Sequence, residues 1–350
     1  MERCPACDPQ STGYCVAFAS AHERDAVEAT LRLAAGEDFQ IVDERTFWLK
    51  DRSLFDHIDY WGDHLNPVDW SFSSAALSMD GTIVGQPGVL TWDEVVTRRP
   101  VHWVNDIVSQ GRLRMMFQPI VDARGRDHPI GFEMLARGLD EAGGVISPSD
   151  LFQAARDQNQ LFRLDKACRL QGIEAAARLL PDQLVFLNFI PTSIYVPEHC
   201  LRATMEAVTR IGLRPEQVVF EVVETERVHD LNHLRRILEY YRARGFRYAL
   251  DDVGEGFNQL GVLQELKPDV VKLDRQFVSR IDQNQENRDV AREVLDICAR
   301  IGATPLAEGV EREEEAKLLW ELGFVWQQGY YYGRPGWDPV PHSPRPGQSM

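Results

Sequence analysis

Basic residues are scarce relative to acidic ones: 38 Lys and Arg stand against 54 Asp and Glu, a formal net charge of -16. Polymeric nucleic acid is held through clustered Lys and Arg, so a surface that coats DNA or RNA is excluded. The chain also lacks any stretch approaching the ~20 uninterrupted apolar residues of a membrane span. Its N-terminus, MERCPACDPQ, has neither the basic start nor the apolar run of a signal peptide. The expectation is a cytoplasmic chain with no membrane insertion. Cysteine is sparse, six in all, and Cys168, Cys200 and Cys298 are scattered through helical or loop segments where reduced, packed thiols are expected.

What is present is an ordinary globular composition, 44% apolar and 26% charged over 350 residues. That length suits one barrel-sized domain of about 250 residues plus something smaller. From Leu113 onward, short apolar runs alternate with amphipathic ones. The strand candidates are RMMFQPIV, GFEMLAR, LVFLNF, VVFEVVE, RYALDD, VVKLD, TPLAEGV and FVWQQGY. Helix-length segments such as LDKACRLQGIEAAARLL and HLRRILEYYRARG lie between most of them. This rhythm predicts an α/β fold, a (β/α)8 TIM-type barrel. No helix fits between the first two strands, so that join reads as a hairpin and modifies the barrel with one antiparallel strand.

Residues 1–100 break the rhythm and predict a small N-terminal α+β domain. It holds a helix (HERDAVEATLRLAAG), a strand (FQIVDERTFWL) and an aromatic, acidic stretch, DHIDYWGDHLNPVDWSF, read as core packing. RRPVHWVNDIVSQGR reads as a helix leading into the barrel of residues 101–336, and the proline-rich residues 337–350 as a disordered tail.

YALDDVGEG ends an apolar run in two adjacent aspartates, which repel unless a cation lies between them. The other strand candidates also end polar: Glu133, Asn188, Glu221, Asp251 with Asp252, Lys272, Glu308 and Gln328. In a β/α barrel the carboxyl ends of the strands converge over one mouth, where chemistry is built. Lys272 cannot neutralise so many carboxylates, whereas hard divalent cations with oxygen ligands can. Adjacent aspartates fit a two-metal site for attack of water on a phosphodiester, with Lys272 and Arg137 as partners for water and phosphate charge.

GFEMLARG resembles the signature of the EAL domain, the cyclic di-GMP phosphodiesterase family, with Met134 in place of the usual Ala. The resemblance runs from about residue 105 to 336 through FQPI, LNF, FEVVETE, DDVGEG, KLD, AEGVE and QGYYYGRP, in that order. It implies a modified barrel and hydrolysis of cyclic di-GMP to linear pGpG with two Mg2+ or Mn2+ ions. Glu133, Asn188, Glu221 and Asp251 would bind the first metal, and Asp251 with Asp252 the second. Lys272 would contact the nucleophilic water, with Glu308 and Gln328 close around the centre. Arg137 would hold a phosphate, Gln118, Asp274, Gln328 and Pro335 would line the substrate site, and Glu224 would brace the loop after the aspartates. The resemblance also implies a homodimer through the barrel and a sensory or regulatory N-terminal domain. The loop DDVGEGFNQL departs from the family's DDFGTGYSSL. That departure keeps a second reading open, a weak or inactive domain acting as a cyclic di-GMP receptor.

Cys4, Cys7, Cys15 and His22 are spaced C-x2-C-x7-C-x6-H, which offers four ligands for a structural zinc ion, although the x7 interval is not that of a common zinc motif.

Overall fold

The computed structural model describes residues 11–33, 39–77, 82–85, 88–98, 103–125, 129–158, 160–191, 201–222, 231–254 and 263–339. It divides into two compact units, Met1–Gln110 with Ser149–Leu164, and Gly111–Pro148 with Asp165–Met350. Among the described residues no helix is long and apolar enough to cross a membrane.

The first unit is an antiparallel sheet ordered β2-β3-β1-β4-β5. Its strands are β1 (Ser11–Ala17), β2 (Phe39–Ile41), β3 (Thr46–Lys50), β4 (Ser71–Leu77) and β5 (Ile83–Gly85), with helices Ala21–Leu33 and Asp51–His64 between them. The single strand expected over 39–49 is a hairpin instead, because the Asp43 carboxylate accepts the Arg45 backbone N–H at 2.8 Å and closes a polar turn. The aromatic stretch is core, as expected. Leu54, Phe55, Ile58 and Trp61 share one buried helix stripe, and Trp70 lies edge-on to Trp92. Residues 149–164 join this unit through pairs such as Phe162 edge-on to Tyr60 at 5.4 Å and Arg163 with Asp59 at 3.7 Å.

The second unit is a closed barrel of eight strands. They are β6 (Leu113–Asp122), β7 (Gly131–Leu139), β9 (Leu184–Phe189), β10 (Val218–Val222), β11 (Arg247–Val253), β12 (Val270–Leu273), β13 (Thr304–Ala307) and β14 (Trp326–Gln328). The order runs β6-β14-β13-β12-β11-β10-β9-β7 and closes by β6–β7; the short β8 (Val145–Ile146) pairs onto β7. β6 is antiparallel to both of its neighbours and the other barrel pairings are parallel. This is the modified (β/α)8 TIM-type barrel read from the sequence, hairpin included. The chain stays built beyond the barrel: Gly336 pairs with Phe117 through both backbone groups, and the Trp337 carbonyl accepts from Arg178 at 3.0 Å. Of the tail read as disordered, residues 340–350 lie outside the described residues.

One layer of the barrel interior positions everything above it. Ile120, Phe186, Val219, Ala249, Val270 and Leu306 form a buried apolar cluster with Trp326 packed against it. Side chains on a strand return to the same face every second residue. Two residues after the layer come Asn188, Glu221, Asp251, Lys272, Glu308 and Gln328. On the antiparallel β6 the step reverses, so Gln118 lies two residues before Ile120. On β7 the floor position is Gly131, two before Glu133. A Cβ at Gly131 would come within 2.5 Å of the Leu184 carbonyl oxygen, so only glycine admits this close approach of β7 to β9.

Candidate metal centre

The polar residues predicted at the strand ends converge. Asn188 on β9 and Glu221 on β10 are direct cross-strand partners, and Gln118 on β6 faces Glu133 on β7. The Asn188 amide nitrogen donates to Glu133 Oε1 at 2.9 Å, and Gln328 Nε2 donates to Glu133 Oε2 at 2.7 Å. Lys272 Nζ lies 2.7 Å from Glu221, 3.1 Å from Asp251 and 2.7 Å from Glu308.

The paired aspartates depend on a local break in the sheet. Neighbouring residues on a regular strand point to opposite faces, so Asp251 and Asp252 ought to diverge. The β11–β12 register shifts between Leu250 and Val253, and Asp252 takes a left-handed φ of 54°. This irregularity turns both carboxylates to one side. Asp251, Asp252 and Glu308 then each offer an oxygen within 4.8 Å of the others, and theirs is the one such group among the described residues.

The site is overloaded with acid. Burial pushes Glu221 well above the usual carboxylate range and the nearby Glu133 pushes it further, with Lys272 only partly opposing. Burial, then Asp251, does the same to Glu308. Asp252 is pushed up to about 7 by burial, by Asp251 and by a carboxyl hydrogen bond with Asp274. Burial by itself would lower the Lys272 ammonium, but Asp251, Glu221 and Glu308 outweigh it and hold the proton firmly. One ammonium cannot balance Glu133, Glu221, Asp251, Asp252 and Glu308 together. In addition, Glu221 Oε2 and Gln328 Oε1 are buried with no hydrogen-bond donor among the described residues. Buried acceptors in that state are costly unless a cation meets them. Oxygen-only donors in excess of local positive charge fit hard divalent ions.

The remaining predicted residues occupy supporting places. Arg137, four residues past Glu133 on β7, is half-buried, and its charge couples to Glu133 and Tyr330. Asp274 follows β12 and caps the next helix through Gln276 N at 2.7 Å. Pro335 immediately precedes the Gly336–Phe117 bridge. Glu224 lies outside the described residues. Sequence reasoning overlooked Arg334, whose guanidinium stacks 4.1 Å over the exposed Tyr330 ring; the signal was an aromatic and an arginine four apart in QGYYYGRP.

The zinc reading gains nothing. Cys4 and Cys7 lie outside the described residues. Cys15 sits in mid-strand on β1 between Trp48 and Ser73, with its thiol pushed up by burial and by Asp43, against the thiolate a metal needs. His22 is exposed in the first turn of Ala21–Leu33.

The family model for the EAL domain matches residues 102–335. The chain belongs to the EAL domain family. A probable cyclic di-GMP phosphodiesterase of Escherichia coli K12, PdeG, is 31% identical over 236 residues, which cover 65% of this chain and 45% of that protein. The cyclic di-GMP phosphodiesterase PdeB of Shewanella oneidensis MR-1 is 26% identical over 231 residues, 65% of this chain and 27% of that protein. The matched region thus spans less than half the length of these curated relatives. Among solved structures, a standalone versatile EAL protein from Vibrio cholerae O395, in its c-di-GMP-bound form, is 33% identical with a TM-score of 0.60 over 68% of this chain and 98% of that one. The manganese and c-di-GMP complex of Klebsiella pneumoniae BlrP1 is 31% identical, TM-score 0.58, over 64% of this chain and 56% of that one.

Proposed function

We propose that this EAL domain hydrolyses cyclic di-GMP to linear pGpG. The observation that carries this reading is the bulge on β11, which turns Asp251 and Asp252 to the same side beside Glu308. Glu133, Asn188, Glu221 and Asp251 would hold one Mg2+ or Mn2+ ion and Asp251 with Asp252 a second, a pair that lowers the pKa of a water and neutralises charge on the phosphate. Lys272 keeps its ammonium and donates to the attacking water, holding it in line with the phosphorus. Glu308, 2.7 Å from that ammonium, takes up the proton the water loses while the bond from phosphorus to one ribose 3′ oxygen breaks, and the departing oxygen is protonated from solvent. Arg137 offers a planar pair of donors to a phosphate oxygen. Gln118, Asp274, Gln328 and Pro335 line the nucleotide, and Tyr330 under Arg334 completes the rim.

The N-terminal unit is assigned a regulatory role, and the barrel a homodimer that light scattering at micromolar concentration would detect. The reading is tested by chromatography of cyclic di-GMP incubated with the chain and Mg2+ or Mn2+, beside Glu133→Ala and a chelated control. Linear pGpG that vanishes in both controls is expected. Micromolar binding without product would replace the enzyme with a receptor.

A further inference from the structure

A second buried ionic group lies at the end of β9. Asp165 and Arg169 stand one turn apart on helix Leu161–Ala176 and are 2% and 1% exposed. Arg169 Nε donates to Asp165 Oδ2 at 3.0 Å, and Nη1 donates to the buried Thr204 hydroxyl on helix Arg202–Ile211, also at 3.0 Å. The other carboxylate oxygen, Asp165 Oδ1, accepts the backbone N–H of Ile190 at 2.9 Å.

Ile190 is the first residue past β9. The ladder to β7 ends at Leu187 and the ladder to β10 at Phe189, so the sheet no longer holds the chain there. Asn188 sits in that thinning stretch. Its amide nitrogen is committed to Glu133, which leaves the amide oxygen as the part of the side chain that can accept. A buried ion pair is a poor source of stability, since desolvating both charges offsets their attraction. What this pair does supply is an anchor for the end of β9.

We propose that Asp165 is a positioning residue for the metal centre. It fixes the backbone at Ile190, and through it Asn188, while Arg169 and Thr204 hold Asp165 in one orientation. The inference rests on the metal-site reading above. Partners that orient a metal ligand in this way change metal affinity by about 10–100-fold when removed.

The test uses the full chain and Mn2+ alone, with free Mn2+ read by electron paramagnetic resonance, and amide exchange at Ile190 measured in metal-free protein. Asp165→Ala is expected to raise the Mn2+ dissociation constant about tenfold and to speed exchange at Ile190. Asp165→Asn keeps an acceptor for Ile190 and is expected to fall between it and wild type. Ile297→Ala, a buried position on helix Gln285–Ile301, is the stability control: it should lower the melting temperature and leave Mn2+ affinity unchanged. The proposal is overturned if Asp165→Ala binds Mn2+ as wild type does, or if Ile297→Ala weakens Mn2+ as much at equal loss of stability. Should Asp165→Ala not fold, Asp165→Asn and Thr204→Val decide, and wild-type Mn2+ affinity in both overturns it. Wild type that binds no Mn2+ removes the metal centre itself and this proposal with it; wild type that binds while the variants match it removes only the proposal.

Discussion

Along β10, Val219 and Glu221 are both buried in the same barrel, two residues apart. The first packs against Phe186, Ala249 and Val270; the second meets an ammonium, three further carboxylates nearby and no complete set of donors. The same step separates Ala249 from Asp251 and Leu306 from Glu308. The floor is close-packed and electrically silent, so it supplies stability. The mouth, one pleat above, is acid-crowded and draws down that stability.

The sharpest way to break the contrast is to substitute the mouth. Glu133→Gln is nearly isosteric, and turnover should fall by more than the about 100-fold that outer partners of a metal contribute, with the metal-free melting temperature unchanged or raised. Steady-state kinetics beside calorimetric melting checks both. A matching substitution in the floor should do the reverse. Leu306→Ala removes a fully buried side chain and should cost about 2–5 kcal/mol of stability, measured by urea unfolding, while the Mn2+ affinity of the folded fraction stays at the wild-type value.

pH separates the layers as well. Asp252 holds its proton up to about 7 in the folded chain, whereas in the unfolded chain it ionises near an ordinary ~4. The folded state therefore binds more protons across that interval, and metal-free stability should fall as pH rises from about 4 to about 7. Asp252→Asn should flatten this slope; equal slopes in wild type and variant would contradict the account. The smallest effect belongs to the outer ring of helices. Asn284 caps helix Gln285–Ile301 by accepting from Glu286 N at 2.9 Å. Asn284→Ala should cost about 1 kcal/mol and leave Mn2+ affinity untouched.

The floor was legible as apolar strand runs, and the mouth as the polar residue closing each run, because both follow from a period of two. The antiparallel β6 was legible too, since about ten residues cannot hold a crossover helix. Asp252 was named from its place beside Asp251, but the left-handed backbone and register shift that turn it to the same side were not, because they are consequences of how β11 meets β12. Asp165 and Arg169 were hidden for another reason: charges four apart on an amphipathic helix read as a solvated face, and only the fold buries them. Helix Asp51–His64 was overlooked because its aromatics drew the reading toward packing rather than toward their spacing.

The central claim is that acid crowding at the mouth exists to hold divalent cations. Calorimetric titration of the chain with Mn2+, beside Asp251→Asn, tests it most directly. The account predicts two ions per chain in wild type and loss of saturable binding at both sites in the variant, since Asp251 is assigned to both. Wild-type protein that takes up no Mn2+, or a variant that binds two ions as tightly as wild type, would contradict it.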